Sequence, residues 1–302
     1  MNKKTVVITG ALGQDGTILS KIFLSKKFKV IGFIRKKKYL NKLRKVTYVT
    51  VNLENKTLLK KKIIECKPSI LIHLASDNPS YLEGLNTSFY KKNFKSTKNL
   101  IDATVETNKK IKILFSNSSQ IFGKVKKKVN ENTNFTQTSY YTKFRIKANK
   151  YILKLKNKYK LNYTNLILFN HDSVYRNKKF LISRIVKAYK KKDYKFLQQL
   201  YNLNICGDFS HAEDVCKAIY LLSISKKNPN NLILSSNKVT KISKIILHIF
   251  KISNKKVPFN LPRLSAKKVL LGNNSFAKRL LLWRPQKNIF IAVNEMLKIK
   301  SN

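Results

Sequence analysis

The sequence predicts an α/β protein: a doubly wound parallel sheet with a smaller C-terminal lobe. Three observations point there. The chain opens on Thr5-Val6-Val7-Ile8-Thr9-Gly10-Ala11-Leu12-Gly13-Gln14-Asp15-Gly16, an apolar strand that runs into a glycine turn and then a helix. Beyond it, short apolar runs alternate with helical stretches at a pitch that suits parallel strands joined by crossover helices. No internal repeat and no linker rich in Pro, Gly or Ser interrupts the alternation.

The opening turn also says what such a sheet would hold. Gly10, Gly13 and Gly16 let the backbone bend sharply and approach a pyrophosphate, whose charge meets the free N–H groups at the helix start. A glycine triplet gains meaning from a strand before it and a helix after it; both are present, with residues 17–24 reading as helix. The sheet is therefore read as Rossmann-type, with a dinucleotide at its first turn. An ordinary strand-to-helix turn is the plainer alternative.

The next strand, Lys29–Ile34, ends at Arg35-Lys36-Lys37-Lys38. About 20 residues beyond the glycine loop, a site for NAD would place an acid on the ribose 2′-hydroxyl. A cationic cluster stands here instead, which suits a 2′-phosphate and predicts NADP, with Arg35 at the strand end as its reader. The third strand, residues 46–51, ends at Asn52-Leu53, where the Asn52 amide can reach an adenine ring. A helix over 58–66 follows, then a fourth strand over 69–75. His73 lies within its apolar run and reads as a packed residue. A helix over 86–107 leads to the fifth strand, 112–116.

That strand ends in Asn117-Ser118-Ser119-Gln120, and Ser139-Tyr140-Tyr141-Thr142-Lys143-Phe144-Arg145 opens a long basic helix reaching 159. A hydroxyl at a strand end, with a Tyr four residues before a cation on one helix face, makes a proton-transfer set. The cation favours a phenolate. Ser118 would bind the reacting oxygen and Tyr141 would move its proton. A solvated basic helix whose tyrosines merely pack is the competing reading. The sixth strand covers 163–169, followed by Asn170-His171-Asp172-Ser173, Arg176 and a helix over 180–191. Residues 207–215 read as the opening of another helix, with Asp214 near its start where an acid suits the dipole. A strand at 232–235, a helix over 241–250 and a C-terminal helix complete the chain. Residues 1–165 are thus assigned to dinucleotide binding, and 166–302 to a mixed segment that completes the sheet and forms a substrate lobe.

Composition bounds the rest. With 302 residues, 43% of them hydrophobic, the chain can bury a substantial core. No apolar run is long enough to cross a bilayer and no signal peptide precedes the first strand, so no membrane is expected and the location is read as cytoplasmic. Cys66, Cys206 and Cys216 lack metal-ligand spacing, so no metal site is expected. Lys and Arg number 64 against 14 Asp and Glu, a net charge of +50. A nucleic-acid binder is the sharp interpretation. The sequence carries no nucleic-acid motif and spreads lysine over nearly every polar stretch, so a general surface bias is favoured, one that still attracts anionic substrates.

These residues resemble a family: the extended short-chain dehydrogenase/reductases that act on nucleotide sugars, and among them the GDP-mannose 4,6-dehydratase family. The likeness runs nearly end to end. Ile8-Thr9-Gly10-Ala11-Leu12-Gly13-Gln14-Asp15-Gly16 is similar to its cofactor loop, and Ser118-Ser119-Gln120-Ile121-Phe122-Gly123-Lys124-Val125 to its hydroxyl-bearing strand end. Leu168-Phe169-Asn170-His171-Asp172-Ser173 and Ser210-His211-Ala212-Glu213-Asp214 resemble its substrate-side motifs. Leu271-Gly272 and Trp283-Arg284-Pro285 resemble its C-terminal segment.

The resemblance implies an NADP cofactor held by Gly10, Gly13, Gln14, Asp15, Gly16, Arg35, Asn52, Leu53, Leu74, Ala75, Tyr141, Arg145 and His171. It implies a GDP-sugar bound by Asn170, Arg176, Arg184 and Arg263, the arginines being suited to a diphosphate. In a chain this basic, Arg176 and Arg263 read equally as surface charge. Tyr141 would take the proton of the sugar 4-hydroxyl as C4 gives hydride to NADP⁺. A base would then remove the C5 proton as water leaves C6, and hydride would return to C6. Relatives pair through two helices, here 86–107 and 141–159, implying a homodimer or homotetramer. Both helices are lysine-rich, which sets like charge against like.

Three departures stand out. Gln120 occupies the place of the family's Glu base, Arg145 that of its Lys, and Asn52 that of an Asp. An amide is no base, and a planar guanidinium does not reproduce an ammonium's contacts. Two further readings therefore stand beside a dehydratase: an NADP-dependent reductase or epimerase of a 4-keto sugar nucleotide, which needs only Ser118, Tyr141 and Arg145, and a non-catalytic nucleotide-binding relative.

Overall fold

The computed structural model describes residues 3–35, 42–77, 86–125, 127–265 and 267–299. Its first half runs β1 (Thr5–Thr9), α1 (Gln14–Ser25), β2 (Lys29–Ile34), β3 (Thr47–Thr50), α2 (Lys56–Cys66), β4 (Ile70–His73), α3 (Thr87–Thr107), β5 (Lys112–Ser118), a 3-10 turn (Ser119–Phe122), β6 (Lys128–Val129), α4 (Tyr140–Tyr159) and β7 (Tyr163–Leu168). The second half adds β8 (Asn170–Asp172), α5 (Leu181–Lys190), α6 (Tyr194–Asn202), β9 (Cys206–His211), α7 (Ala212–Ile224), β10 (Asn231–Leu234), β11 (Val239–Lys241), α8 (Ile242–Ile252), β12 (Leu271–Gly272), α9 (Ser275–Leu281) and α10 (Ile289–Lys298).

Seven strands form one parallel sheet in the order β3-β2-β1-β4-β5-β7-β10. The order reverses at β1 and β4, so the crevice at their carboxyl ends is where such sheets bind ligands. The inner strands β1, β2 and β4 read as apolar runs because helices cover both faces, while edge strand β3 is half-exposed. Side chains alternate, so Val6 and Ile8 join one core with Ile18, Leu19 and Phe23 of α1 and Ile219 and Leu222 of α7. Val7 joins the other core, with Leu59 and Ile63 of α2, Leu100 and Ile101 of α3, and Phe144 and Ile152 of α4. Exposing one such side chain would cost roughly 1.5–3 kcal/mol. At the sheet edge, Glu131 covers β10: its Oε1 accepts the Ile233 N–H at 3.0 Å, removing a free edge donor.

The second lobe has its own core, built from Ile182 and Ile185 of α5, Leu197 of α6, Ile245 and Ile249 of α8 and Val293 of α10. It sits on a small sheet in which β9 runs parallel to β8 and antiparallel to β11. This corrects the helix read over 207–215. Residues Cys206–His211 are a strand, and the helix starts only at Ala212, where the His211 Nδ1 caps the Glu213 N–H at 3.1 Å. The strand hides in the sequence because it is polar. Buried Asp208 is made tolerable by four donors from distant segments: Ser236 N, Ser236 Oγ, Asn237 N and Gly272 N. Helices α6 and α9 are further elements beyond the sequence expectation: lysines flank the apolar residues of the first, and the second is only seven residues long.

Candidate active site

The glycine turn lies at the carboxyl end of β1. Gly10 adopts φ +69°, and a Cβ placed there would lie 3.1 Å from Ala75 N. Gly16 is held more tightly still: its Cβ would stand 2.4 Å from Gly10 O and 2.6 Å from the Ala11 Cα. Neither clash involves a side chain that could move, so both positions require glycine. Helix α1 then starts with Gly13 at its N-cap and no side-chain cap, leaving first-turn N–H groups for an anion. The chemistry of this cradle fits the pyrophosphate of a dinucleotide.

Thr9 ties β1 to β4 beside the turn. Its Oγ1 accepts the N–H groups of Leu74 and Ala75 at 3.2 and 3.1 Å. The hydroxyl proton is then left for His73 Nδ1, 2.8 Å away, so the His73 proton sits on Nε2 and is given to Thr97 Oγ1 at 3.0 Å. Burial, aided by the charge of Arg145, pushes His73 down to about 3. It is a neutral packing residue of the strand, as its apolar setting predicts.

A second fastening joins α1 to β8. The Asp15 carboxylate lies 3.0 Å from His171 Nε2 through either oxygen, while His171 Nδ1 faces the Phe169 carbonyl at 2.6 Å. Both ring nitrogens face atoms that only accept, so the ring is an imidazolium. Burial alone would lower its pKa; the charge and hydrogen bond of Asp15 outweigh burial and raise it. Burial alone would likewise raise Asp15, but His171, helped by Arg176 and Gln14, holds it below the usual carboxylate range. Gln14 adds a parallel tie, donating to His171 O at 3.0 Å and accepting from Ser173 Oγ at 3.1 Å.

The proposed proton-transfer set comes from three elements. Ser139 opens α4 with a capping box, its Oγ accepting from Thr142 N at 3.2 Å while Thr142 Oγ1 accepts from Ser139 N at 2.9 Å. This fixes the first turn, which carries Tyr141, 6% exposed. One turn on, Arg145 is 4% exposed. Its guanidinium lies 5.1 Å from the Tyr141 ring centroid. Nη1 donates to Ser116 O, Nη2 donates to Ser76 Oγ at 2.7 Å, and Nε is buried without a partner. Ser118 ends β5, where its N–H is held by Asn117 Oδ1 at 2.8 Å. Asn117 in turn donates to Asn165 Oδ1 at 3.0 Å. Gln120 is exposed on the 3-10 turn, its N–H donating to Ser118 Oγ at 3.3 Å. The roles of Ser76 and Asp77 leave no sequence signal, because each meets an arginine far along the chain, Arg145 and Arg35; Asn117 holds its neighbour Ser118 and is braced by distant Asn165.

The remaining expected residues are spread around this centre. Arg35 lies at the end of β2 and is paired with Asp77 at 2.9 Å rather than standing alone. Lys36, Lys37 and Lys38 lie outside the described residues. Asn52 is exposed and its Oδ1 accepts the Glu54 N–H at 3.0 Å, with half-buried Leu53 between them. On the lobe side, Asn170 is exposed on β8, next to His171. Arg176 stacks 3.7 Å above the Phe180 ring, with Nε 3.2 Å from buried Asp172. Arg184 stacks 4.9 Å from the Phe196 centroid, and Arg263 is exposed. A separate cleft of about 300 Å³ between Asn130 and Arg279 contains none of these residues. Among the described residues no helix is long and apolar enough to cross a membrane, and no cluster of His, Cys, Asp and Glu could hold a metal.

Comparison with known proteins agrees with the motifs. The sequence profile described as GDP-mannose 4,6 dehydratase matches residues 7–296. GDP-mannose 4,6 dehydratase 2 of Caenorhabditis elegans is 24% identical, covering 98% of this chain and 88% of its own. The dTDP-glucose 4,6-dehydratase of Bacillus anthracis, solved in complex with NAD, superposes with a TM-score of 0.82 at 17% identity, covering 98% of this chain and 96% of its own. The UDP-glucose 4-epimerase of Thermotoga maritima, solved with UDP-glucose, gives 0.82 at 16% identity, with 97% of both chains covered. At these identities the two solved structures speak to the fold alone.

Proposed function

The chain belongs to the GDP-mannose 4,6 dehydratase family, and from that premise we propose that it binds NADP and a GDP-sugar and carries out the family's C4 oxidation and dehydration to a 4-keto-6-deoxy sugar. The observation that carries this reading is the buried Arg145 guanidinium beside Tyr141 at the carboxyl ends of β4 and β5. The glycine cradle and the α1 N-terminus would hold the pyrophosphate. Arg145 Nε, buried and unpartnered, is the donor left for a ribose hydroxyl. When bound, the nicotinamide supplies the hydride acceptor and donor.

Tyr141 takes the proton from the sugar 4-hydroxyl as its general base. Ser118, held by Asn117, hydrogen-bonds the same oxygen as it becomes a carbonyl. Arg176 and Arg184, each backed by a phenylalanine ring, are set to meet a diphosphate. Gln120 has no basic atom, so removal of the C5 proton falls to water hydrogen-bonded by its amide, and elimination is the slow step. Incubation with GDP-mannose and NADP⁺, read by mass spectrometry, should give a product lighter by one water. Intact substrate after long incubation would reject the dehydratase reading.

One observation favours a second reading. Gln120 stands exposed, and no carboxylate among the described residues bonds to it, which suits reduction or epimerisation of a 4-keto sugar nucleotide, where no C6 elimination occurs. Turnover of a 4-keto-6-deoxy sugar nucleotide with NADPH, without dehydration of GDP-mannose, would select it.

A further inference from the structure

Strands β2 and β4 flank β1 on either side, so the residues that follow them face each other across the carboxyl end of β1, where Gly10 turns. Arg35 is the first residue beyond β2. Asp77 lies beyond β4, and its backbone N–H donates to Asn93 Oδ1 at 2.9 Å. Asn93 is 4% exposed and is itself anchored, its Nδ2 donating to Phe89 O at 2.9 Å. The Asp77 backbone is therefore anchored to α3, which places its carboxylate over the strand ends. From there it reaches Arg35 Nη1 at 2.9 Å with one oxygen, and Lys92 Nζ at 3.6 Å with the other. The ion pair bridges the two strand ends across the crevice.

We propose that Asp77 is a specificity-determining residue of the cofactor site: it holds Arg35, so that a 2′-phosphate must displace or share a guanidinium already bound to a carboxylate. The proposal rests on the NADP reading above and refines it. Arg35 carries one charge, and a 2′-phosphate would bring a second anion beside Asp77. A ribose with a free 2′-hydroxyl meets no such repulsion, and the carboxylate offers it an acceptor. The pair thus weakens selection for NADP that Arg35 alone would impose and keeps NAD within reach. Arg35 is 66% exposed, and exposed pairs hold loosely, so their competition is worth up to about fivefold. Like-charge repulsion from the phosphate adds to that.

Binding of NADPH and NADH to the full chain, followed by nicotinamide fluorescence at fixed ionic strength, tests this. Asp77→Asn should tighten NADPH about five- to tenfold and leave NADH unchanged or weaker. Asp77→Ser, which also keeps the backbone bond to Asn93, should act in the same direction. Arg35→Ala should cost NADPH more in the Asp77→Asn background than in the wild type, since the guanidinium is then free. An NADPH-to-NADH ratio within twofold of wild type in both Asp77 variants would overturn the proposal while leaving the dinucleotide site standing. Binding of neither nucleotide to the wild type would overturn the dinucleotide reading and the proposal together.

Discussion

Arg145 stacks its guanidinium 5.1 Å from the centre of the Tyr141 ring, and no carboxylate among the described residues shares that charge. A buried cation without a counterion is costly unless something anionic forms beside it. The Tyr141 hydroxyl is the acid–base group that α4 carries one turn before Arg145. Tyr141→Phe keeps the ring, the stacking and the capping box but removes the hydroxyl that accepts the proton of the sugar 4-hydroxyl. Turnover should fall at least about a hundredfold, while dinucleotide binding stays within a few-fold of wild type. Undiminished turnover would remove Tyr141 from the mechanism.

Gln120 offers the converse test, a gain. It is exposed on the 3-10 turn directly after Ser118, so exchanging its amide for a carboxylate disturbs no packing. Gln120→Glu should change stability by no more than about 0.5 kcal/mol. It should raise dehydration of GDP-mannose about a hundredfold by supplying a base for the C5 proton. A folded, cofactor-bound variant with no gain would mean that position 120 does not face C5.

The large sheet was legible because its inner strands are buried on both faces, which writes itself as an unbroken apolar run such as Val6, Val7 and Ile8. The long helices α3 and α4 were legible as stretches, while the caps that start them, Asn86 and Ser139, are shown by the structure. Strand β9 was illegible for the opposite reason: its buried Asp208 is satisfied by Ser236, Asn237 and Gly272, which no local pattern connects to it. The site divides in the same way. Gly10, Gly16, Tyr141 and Arg145 announce themselves by spacing along one turn or one helix face. Asp77 does not, because it acts on Arg35, a residue on another strand, and no window of sequence contains both.

The Asp15–His171 pair makes a prediction with a definite sign. His171 is raised above its ordinary 6.5, so its contribution to stability is fully present below that value and is lost as pH rises through the raised value. Asp15 is lowered below 3.8, so its contribution is present above that value and is lost as pH falls through the lowered one. The latch between α1 and β8 is therefore strongest between those limits. Asp15→Asn should cost about 2 kcal/mol near pH 6, the scale of a hydrogen bond to a charged group. The cost should shrink toward alkaline pH. Urea unfolding of both proteins across pH 5–10 measures it, and a pH-independent difference would contradict an ionised pair.

His73 works in the other direction, and its effect separates cleanly from that of His171. In the folded chain its ring stays neutral down to about pH 3, because it is fully buried, stacked on Phe115 and near Arg145. In the unfolded chain it takes up a proton below about pH 6.5. Between those values the unfolded state binds more protons, so stability falls as pH falls. From pH 7 to pH 5 this one ring should withdraw about 2 kcal/mol, since each pH unit below the unfolded value is worth about 1.4 kcal/mol. His73→Asn removes the titration and keeps an amide to meet Thr9 or Thr97. The variant should be less stable than wild type at pH 7 through lost packing, yet lose less on acidification, so that the two unfolding curves converge toward pH 5. Parallel pH profiles would show that His73 takes up its proton in the folded protein as readily as in the unfolded chain, and the proton assignment running from Thr9 through His73 to Thr97 would fall with it.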